Sequence, residues 1–317
     1  MNAPRTKAPC TKAPRTNDET AAAAAEFDRL RPRLVGIAYG LLGSVDEAED
    51  VVQDAWLRLC GTDRAAIADL TGWLIVTTSR LAQDVLRSAR HRREAYVGPW
   101  LPEPLISAAD TAPGHVDPAE RVTLDESLSM ALLVVLESLT PPERTAFVLH
   151  DVFGLPFSEV AQVVGRTPTA CRQLASRARR RVAAGAPRFE VTAESRRHVI
   201  EAFAAACREG DITALLTLLD PDVVLRADGG GVVRAARRPV LGADKVSRYL
   251  VGVCRKAQGE FTVVAVNGLP GLLWSRGARV NGVLSLTVAE GRITAVDLVR
   301  NPEKLSRTRP ATVADGT

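Results

Sequence analysis

From Leu30 to Leu42 the apolar side chains (Leu30, Leu34, Ile37, Ala38, Leu41, Leu42) recur at the spacing of one helix face. Gly43 ends that run. Ser44 then offers a cap for a second helix, with Glu47 completing a capping box, and Val45, Ala48, Val52, Ala55 and Leu59 share one face of it. A polar loop, Cys60–Leu70, precedes a third long helix expected from about Gly72 to Arg93, with Leu74, Thr78, Leu81 and Val85 inside. The pattern predicts a helical unit over residues 26–94, after a tail at 1–25.

The periodicity then breaks. Residues 95–116 hold Pro99, Pro102, Pro104 and Pro113, which exclude a helix and favour a stiff, extended linker. Tyr96, Trp100, Leu101, Leu105 and Ile106 lie in it, and burying a large apolar side chain is worth ~1.5–3 kcal/mol. Such a linker is expected to be covered.

Helical spacing returns over 117–186. Asp117-Pro118-Ala119-Glu120 and Thr140-Pro141-Pro142-Glu143 each combine a cap residue, proline at the first helical position and glutamate at the third. Gly154 closes one helix. A short helix, Phe157–Val164, stops at Gly165, and Thr167-Pro168 opens a longer one to about Ala184. Short helix, glycine turn, longer helix is the helix-turn-helix pattern.

Residues 190–305 change character. Helical stretches near 193–209 and 211–219 precede a strand at Val223–Ala227, a helix at Gly242–Lys256 and strands at Phe261–Val266, Leu272–Ser275, Val280–Val288 and Ile293–Val299. Turn signals at 268–271, Gly277 and 290–292 separate the strands. The expected fold is multidomain: two all-α units and a C-terminal α+β domain with a curved antiparallel sheet around a helix. A second tail is expected at 306–317.

Composition narrows the classes. Of 317 residues, 46% are hydrophobic and 25% charged, the balance of a soluble globular chain. No apolar run approaches the ~20 residues of a membrane helix, and Met1–Asn17 lacks the apolar core of a signal peptide. The five cysteines are scattered, with no C-x-x-C pair and no histidine at ligand spacing. Neither a metal site nor a disulfide framework is expected, and a reducing cytoplasm fits.

The net charge of +4 says little, but its distribution says more. Gly165–Arg188 carries seven arginines and no acid. In the helix from Pro168, a buried stripe (Ala170, Cys171, Leu174, Ala178, Val182) leaves Thr169, Arg172, Gln173, Ser176, Arg177 and Arg180 on the polar side, with Arg166 just ahead. Arginine suits phosphates and guanine edges. Residues near the helix start suit bases, and Arg179–Arg181 suit phosphates. In the first unit Asp46, Glu47, Glu49, Asp50 and Asp54 crowd one helix and Arg80, Arg87, Arg90, Arg92 and Arg93 the next. The contrast fits either two binding surfaces, one for protein and one for nucleic acid, or salt bridges between the two helices.

Two motifs carry a family resemblance. Asp46-Glu47-Ala48-Glu49-Asp50-Val51-Val52-Gln53-Asp54-Ala55-Trp56 resembles region two of extracytoplasmic-function sigma factors. Leu139-Thr140-Pro141-Pro142-Glu143-Arg144, with Phe157-Ser158-Glu159-Val160-Ala161, resembles their region four. The resemblance implies that Asp46, Glu49, Asp50, Gln53, Asp54 and Trp56 face core RNA polymerase. It implies that Asp63, Arg64, Trp73, Arg80, Arg87 and Arg90 meet the −10 element of promoter DNA. It assigns Arg166, Thr169, Arg172, Gln173, Ser176, Arg177 and Arg180 to the −35 element.

A narrower match covers the rest. The run from Tyr96 to Pro104 looks like the linker of a sigma subgroup with a fused SnoaL-like cone, and Asp228-Gly229-Gly230-Gly231, Asn267-Gly268-Leu269-Pro270-Gly271 and Asn301-Pro302-Glu303-Lys304-Leu305 look like its C-terminal motifs. The implied regulatory interface comprises Trp100, Leu101 and Pro102 of the linker and Asp228 to Gly231, Asn267 to Gly271, Asn301 and Pro302 of the cone. Trp100 is expected to dock near the Asn267–Gly271 turn and so fix the spacing of two units held apart by the linker. One departure stands out: Val232 follows the glycines where a basic residue is expected, and Arg234 is the nearest substitute.

The cone fold also hosts isomerases and cyclases that pair a buried Asp with His or Tyr. Here His198 and Tyr249 are that domain's only His and Tyr, and Asp222, Asp228 and Asp297 have no evident partner in the sequence. No catalytic residue and no cofactor is therefore expected. A small-molecule or protein signal at the cone remains open. The competing classes are a ligand-sensing regulator that binds DNA alone and an isomerase or cyclase with a DNA-binding appendage.

Overall fold

The computed structural model describes residues 17–108, 128–185 and 192–308. Helix α1 (Asn17–Leu42) begins inside the expected tail, and Pro32 is accommodated within it. Helix α2 (Val45–Gly61) starts on Ser44, whose hydroxyl accepts the Glu47 amide, so the local capping signal is realised. The loop expected after Cys60 is shorter than its sequence signal: one 3-10 turn, Arg64–Ala66, capped by Asp63, precedes α3 (Leu70–Glu94).

The second unit comprises α4 (Met130–Leu136), α5 (Pro141–Phe147), α6 (Phe157–Val164) and α7 (Pro168–Gly185). The cap expected at Asp117–Glu120 lies outside the described residues. At Thr140 the amide and the hydroxyl both donate to Glu143, at 3.1 and 2.8 Å, closing the capping box at the start of α5. A wider π-type turn over Val148–Val152 continues α5 towards Gly154. Gly165 adopts φ 70°, the left-handed conformation that lets α6 stop and the chain re-enter a helix three residues later, at Pro168. The Thr167 hydroxyl then accepts the Ala170 amide at 3.2 Å.

The two helical units are not held apart. Buried residues of α1, α2 and α3 form one continuous core with those of α4 to α7. A Cβ added to Gly40 on α1 would stand 3.1 Å from Val148 and 3.2 Å from Leu128. Arg144 of α5 is buried, donates to the Gly40 carbonyl at 3.3 Å and pairs with Glu137. Periodicity marks which face of a helix is buried but not what covers it, and here each unit covers the other.

The C-terminal domain is an α+β cone. Helices α8 (Ala193–Glu209), α9 (Ile212–Leu218) and α10 (Ala243–Ala257) pack within a sheet of β2 (Leu219–Asp228), β3 (Val240–Leu241), β4 (Glu260–Val266), β5 (Leu269–Arg276), β6 (Arg279–Ala289) and β7 (Arg292–Val299). The sheet is mixed, a correction to the all-antiparallel expectation: β2 runs parallel to β7, with Leu225 opposite Val296. The β4–β5 connection is also tighter than its signal. Val266 pairs with Leu269, so the turn is Asn267-Gly268, both at positive φ, and Pro270 already belongs to β5.

Part of the proline-rich linker is a strand. β1 (Ile106–Ala108) adds to the cone's edge against β4, with Ile106 opposite Val266, and gives a seven-stranded order β1-β4-β5-β6-β7-β2-β3. No helix among the described residues is long and apolar enough to cross a membrane.

Candidate nucleic-acid interface and its clamp

Helix α7 presents the expected face. Cys171, Leu174, Ala175 and Ala178 are buried, while Arg166, Thr169, Arg172, Gln173, Ser176, Arg177 and Arg180 are all exposed. Arg172 lies with its guanidinium 5.5 Å from the Phe157 ring, which stacks on His150. Further along, the arginines divide. Arg177 and Arg181 stand 3.6 and 3.1 Å from Glu143, and Arg179 is 2.5 Å from Asp151. Burial pushes the Glu143 carboxyl up, but bonds from Thr140 and the guanidinium groups of Arg181 and Arg177 outweigh it and hold the carboxyl below its usual range. Of the run Arg179–Arg181, only Arg180 has no such ion pair among the described residues.

The residues assigned to the −10 element are less available. Asp63 caps the 3-10 turn, and Arg64 donates to the Ile67 carbonyl beside Glu26. Trp73 is half-buried against the shared core, and Arg87 lies 3.6 Å from Asp84. Arg80 donates twice to the Gln162 carbonyl of α6, at 2.9 and 3.3 Å, so a basic side chain of the first unit is spent on the second. The side chain of Arg90 lies outside the described residues. Thr78 Oγ1, Ser79 Oγ and Gln83 Nε2, also on α3, are buried with no hydrogen-bond partner.

On α2, Asp46, Asp50, Gln53 and Asp54 are exposed, and Trp56 is half-buried with its ring 4.9 Å from Phe27. Among the described residues no ion pair joins those acids to α3. Instead Arg307, beyond the cone, reaches Asp46 and Glu49 at 2.6 and 2.7 Å. Both carboxylates hold its guanidinium above the ordinary arginine value, Glu49 most.

The linker is clamped to the cone at two buried polar residues. Asp228 accepts from the Tyr96 hydroxyl at 2.6 Å, the Leu101 amide at 2.9 Å and Lys304 Nζ at 2.7 Å. Burial and the Asp228 carboxylate keep the Tyr96 phenol protonated far above its usual range, and burial lowers Lys304 despite its ion pair. Lys304, not a residue following the glycines, is the basic partner of Asp228. Arg234 and Val232 are both exposed, because the loop points them to solvent. Gly230, at φ 64°, abuts Asn301 so closely that a Cβ would sit 2.4 Å from its side chain. Asn301 in turn donates to the Tyr96 hydroxyl at 3.0 Å.

Asn267 is the second anchor and joins three parts of the chain. Its backbone amide and side-chain oxygen bond Leu105 of the linker, at 2.8 and 3.1 Å. Its Nδ2 donates to the Tyr39 hydroxyl of α1 at 2.8 Å and to the Leu128 carbonyl at 3.2 Å. The Tyr39 hydroxyl in turn donates a hydrogen bond to the Glu103 carbonyl at 2.7 Å.

Trp100 does not dock on the Asn267 turn. Its ring lies between Arg93 of α3, 3.6 Å from the guanidinium, and Lys304, 4.0 Å from the ammonium, with Gly43 beneath. Its partners are cations, and the apolar spacing read from the sequence carried no sign of them. Glu103 completes the strap: its carboxylate accepts the Val45 amide at 2.8 Å at the start of α2.

The cone acids are otherwise engaged. Asp297 is fully buried and paired to Arg226 at 2.6 Å, Asp222 is exposed, His198 is exposed, and the Tyr249 hydroxyl accepts the Ala236 amide at 3.1 Å.

Residues 27–92 match the family model described as Sigma-70 region 2, and residues 129–182 that described as Sigma-70, region 4. The chain is 42% identical over 294 residues to the ECF RNA polymerase sigma factor SigJ of Mycobacterium tuberculosis, spanning 89% of this chain and 92% of that protein. It is 38% identical over 282 residues to the probable ECF RNA polymerase sigma factor SigI of the same species, spanning 88% and 93%. The crystal structure of M. tuberculosis SigJ superposes with a TM-score of 0.71 at 37% identity, covering 89% of this chain and 98% of that one.

Proposed function

Because the chain belongs to the extracytoplasmic-function RNA polymerase sigma factors, we propose that it directs core polymerase to two-part promoters and that its SnoaL-like cone holds it in a closed form until opening is favoured. In this reading α2 meets the polymerase through Asp46, Glu49, Asp50, Gln53, Asp54 and Trp56. The Asp63–Ile67 turn and α3 meet the −10 element, and the exposed face of α7 meets the −35 element. The domain limits at 26–94, 95–116, 117–186 and 190–305 serve this division, with the two helical units as separable bodies.

The single observation that carries the closed form is the core shared by the two helical units. The −10 and −35 elements lie about 25 base pairs apart, on the order of 80 Å at 3.4 Å per pair. The longest helix, α1 with 26 residues, spans only ~39 Å. Units packed on one core cannot reach both elements at once. The unpartnered Thr78, Ser79 and Gln83 on α3 support the same reading, since each buried unmet polar group costs about 1–3 kcal/mol that exposure would return. Arg80 would likewise exchange the Gln162 carbonyl for DNA. A signal that favours opening, whether a small molecule or a protein, would act on the clamp at Asp228 and Asn267.

The test places a donor and an acceptor dye on cysteines introduced at exposed Leu57 and Ala184, in full-length protein whose native cysteines, exposed Cys60 among them, are replaced by serine or alanine. Transfer efficiency should be high in the free protein and fall when core enzyme and promoter DNA are both added. Efficiency that stays unchanged in a transcribing complex would sink the closed-form reading.

A further inference from the structure

The cone has a concave site, of about 460 Å³, between the 233–236 loop and the C-terminal half of α10. It is lined by Val233, Ala235, Tyr249, Gly252, Lys256 and Arg300, among others, and none of its lining residues comes from the linker or the helical units. The volume lies within the range of about 300–1,000 Å³ typical of small-molecule pockets.

Arg300 is the telling group. It is half-buried, and it donates only to neutral carbonyls, Asn281 at 3.3 Å and Arg234 at 3.1 Å. Among the described residues no carboxylate pairs with it, and burial lowers its pKa. A charge removed from water without a partner is costly, and proteins normally supply one. Arg234, Arg248 and Lys256 add positive charge to the rim, and among the described residues only Arg248 of these has an ion pair, with Asp244. The lining also carries apolar surface. Val233, Ala235, Val253 and Ala257 supply it, while Trp274, buried and not itself a lining residue, lies 5.3 Å from the Arg300 guanidinium.

Gly252 points the same way. It stands inside α10, where glycine is unfavourable by about 0.5–1 kcal/mol against alanine. A Cβ there would meet no atom within 4 Å, so no packing constraint demands glycine. The missing side chain enlarges the cavity instead.

We propose that this cavity binds a small organic anion, an acidic head group on an apolar body, with the head group pairing to Arg300 and the body lying along Gly252 and α10. The site stands beside the linker clamp: the Arg300 amide donates to the Asp228 carbonyl at 2.7 Å, and Val233 and Arg234 continue the loop that follows Asp228.

Calorimetric titration of the full-length protein with decanoate, decan-1-ol and inorganic phosphate tests it. Decanoate should bind once per chain and at least tenfold tighter than either the neutral alcohol or the bare anion. Arg300→Gln should weaken decanoate at least tenfold, and Gly252→Leu should abolish binding by filling the cavity. Lys256→Gln, a change at the solvent-facing rim, should weaken it about twofold to fivefold and provides a reading if Arg300→Gln does not fold. Absence of saturable decanoate binding, equal binding of decan-1-ol, or decanoate binding untouched by Gly252→Leu in a folded variant would each overturn the proposal.

Discussion

Arg307 donates to Asp46 at 2.6 Å across 261 positions of sequence, and so places the end of the cone on the acidic face of α2. The pair is exposed on both sides, and exposed pairs are worth roughly 0.2–1 kcal/mol. That is enough to bias a binding surface and too little to hold a fold. Arg307→Ala should therefore leave the melting temperature unchanged and raise the affinity of the full-length protein for core polymerase by about twofold to fivefold at low salt. Salt should shrink the difference, because the Debye length falls to roughly 8 Å at 0.15 M. Equal affinity of wild type and variant, measured by fluorescence anisotropy, would remove Arg307 from regulation.

The Asp228–Lys304 pair is of another kind. Asp228 is fully buried and the Lys304 side chain is 11% exposed, so neither charge can turn to water. Breaking a buried pair by removing one partner costs about 3–5 kcal/mol, because the other charge is left stranded. Asp228→Asn should release the linker from the cone, read as faster proteolysis between Tyr96 and Pro104. Adding Lys304→Met to it should recover part of that protection. A double variant as labile as Asp228→Asn alone would show that the stranded ammonium is not the cause.

Trp100→Ala removes a ring held between two cations and leaves a gap against Gly43. Cation–π contacts are worth about 0.5–2 kcal/mol, and the ring is half-buried, so a loss on the order of 2 kcal/mol in linker docking is expected. Hydrogen exchange at the amides of Leu101 and Glu103 should rise by more than tenfold, while α7 and the cone sheet keep their protection. Exchange unchanged at those two amides would mean the ring is not what seats the linker.

The helix-turn-helix was readable because its signals are local. Glu143 sits three residues after Thr140, and Gly165 and Pro168 bracket a turn that depends on nothing distant. The exposed face of α7 follows from its own periodicity, so every residue assigned there is at the surface. The rest needed partners far along the chain. The parallel pairing of β2 with β7 joins Leu225 to Val296, and nothing in either strand announces direction. Asn267, Asn301 and Lys304 stood out only through the resemblance, whereas Tyr39 and Leu128, which Asn267 binds, lie on segments whose spacing gives no hint of polar contacts. Arg307 fell in a stretch read as a frayed tail. The packing of one helical unit on the other was the largest omission, since a buried stripe looks the same whether its cover comes from the next helix or from another unit.

On α7 the arginines should separate into two classes. Arg172 lies near the helix start and has no ion pair among the described residues. If it reads a base edge, Arg172→Ala should cost ~1–3 kcal/mol and relax the preference at one position of the −35 element. Arg180 suits a phosphate, so Arg180→Ala should weaken all promoters alike and lower the salt slope by about one. Competition binding of polymerase holoenzyme to a promoter library reads both effects. A uniform loss for Arg172→Ala would reassign it to the backbone.

Glu103 gives the clamp a pH dependence with a defined sign. Burial, with Asp46 nearby, raises its carboxyl above the ordinary value of 4.5, although the Val45 amide pulls the other way. The folded protein therefore binds this proton more tightly than the unfolded chain does. Its contribution to stability is fully present below pH 4.5 and declines as pH rises towards the raised folded value. Above that value the buried carboxylate bears its whole desolvation cost. Glu103→Gln keeps an oxygen for the Val45 amide and removes the charge. At neutral pH the variant should be as stable as the wild type or more so, with a melting temperature up to a few degrees higher. The difference should narrow as pH falls towards 4.5. Thermal melts of the two proteins between pH 4.5 and 8 measure it. A variant that is less stable at pH 7 by the same margin at every pH would mean that Glu103 acts as a charge, holding the start of α2 through its ionised form.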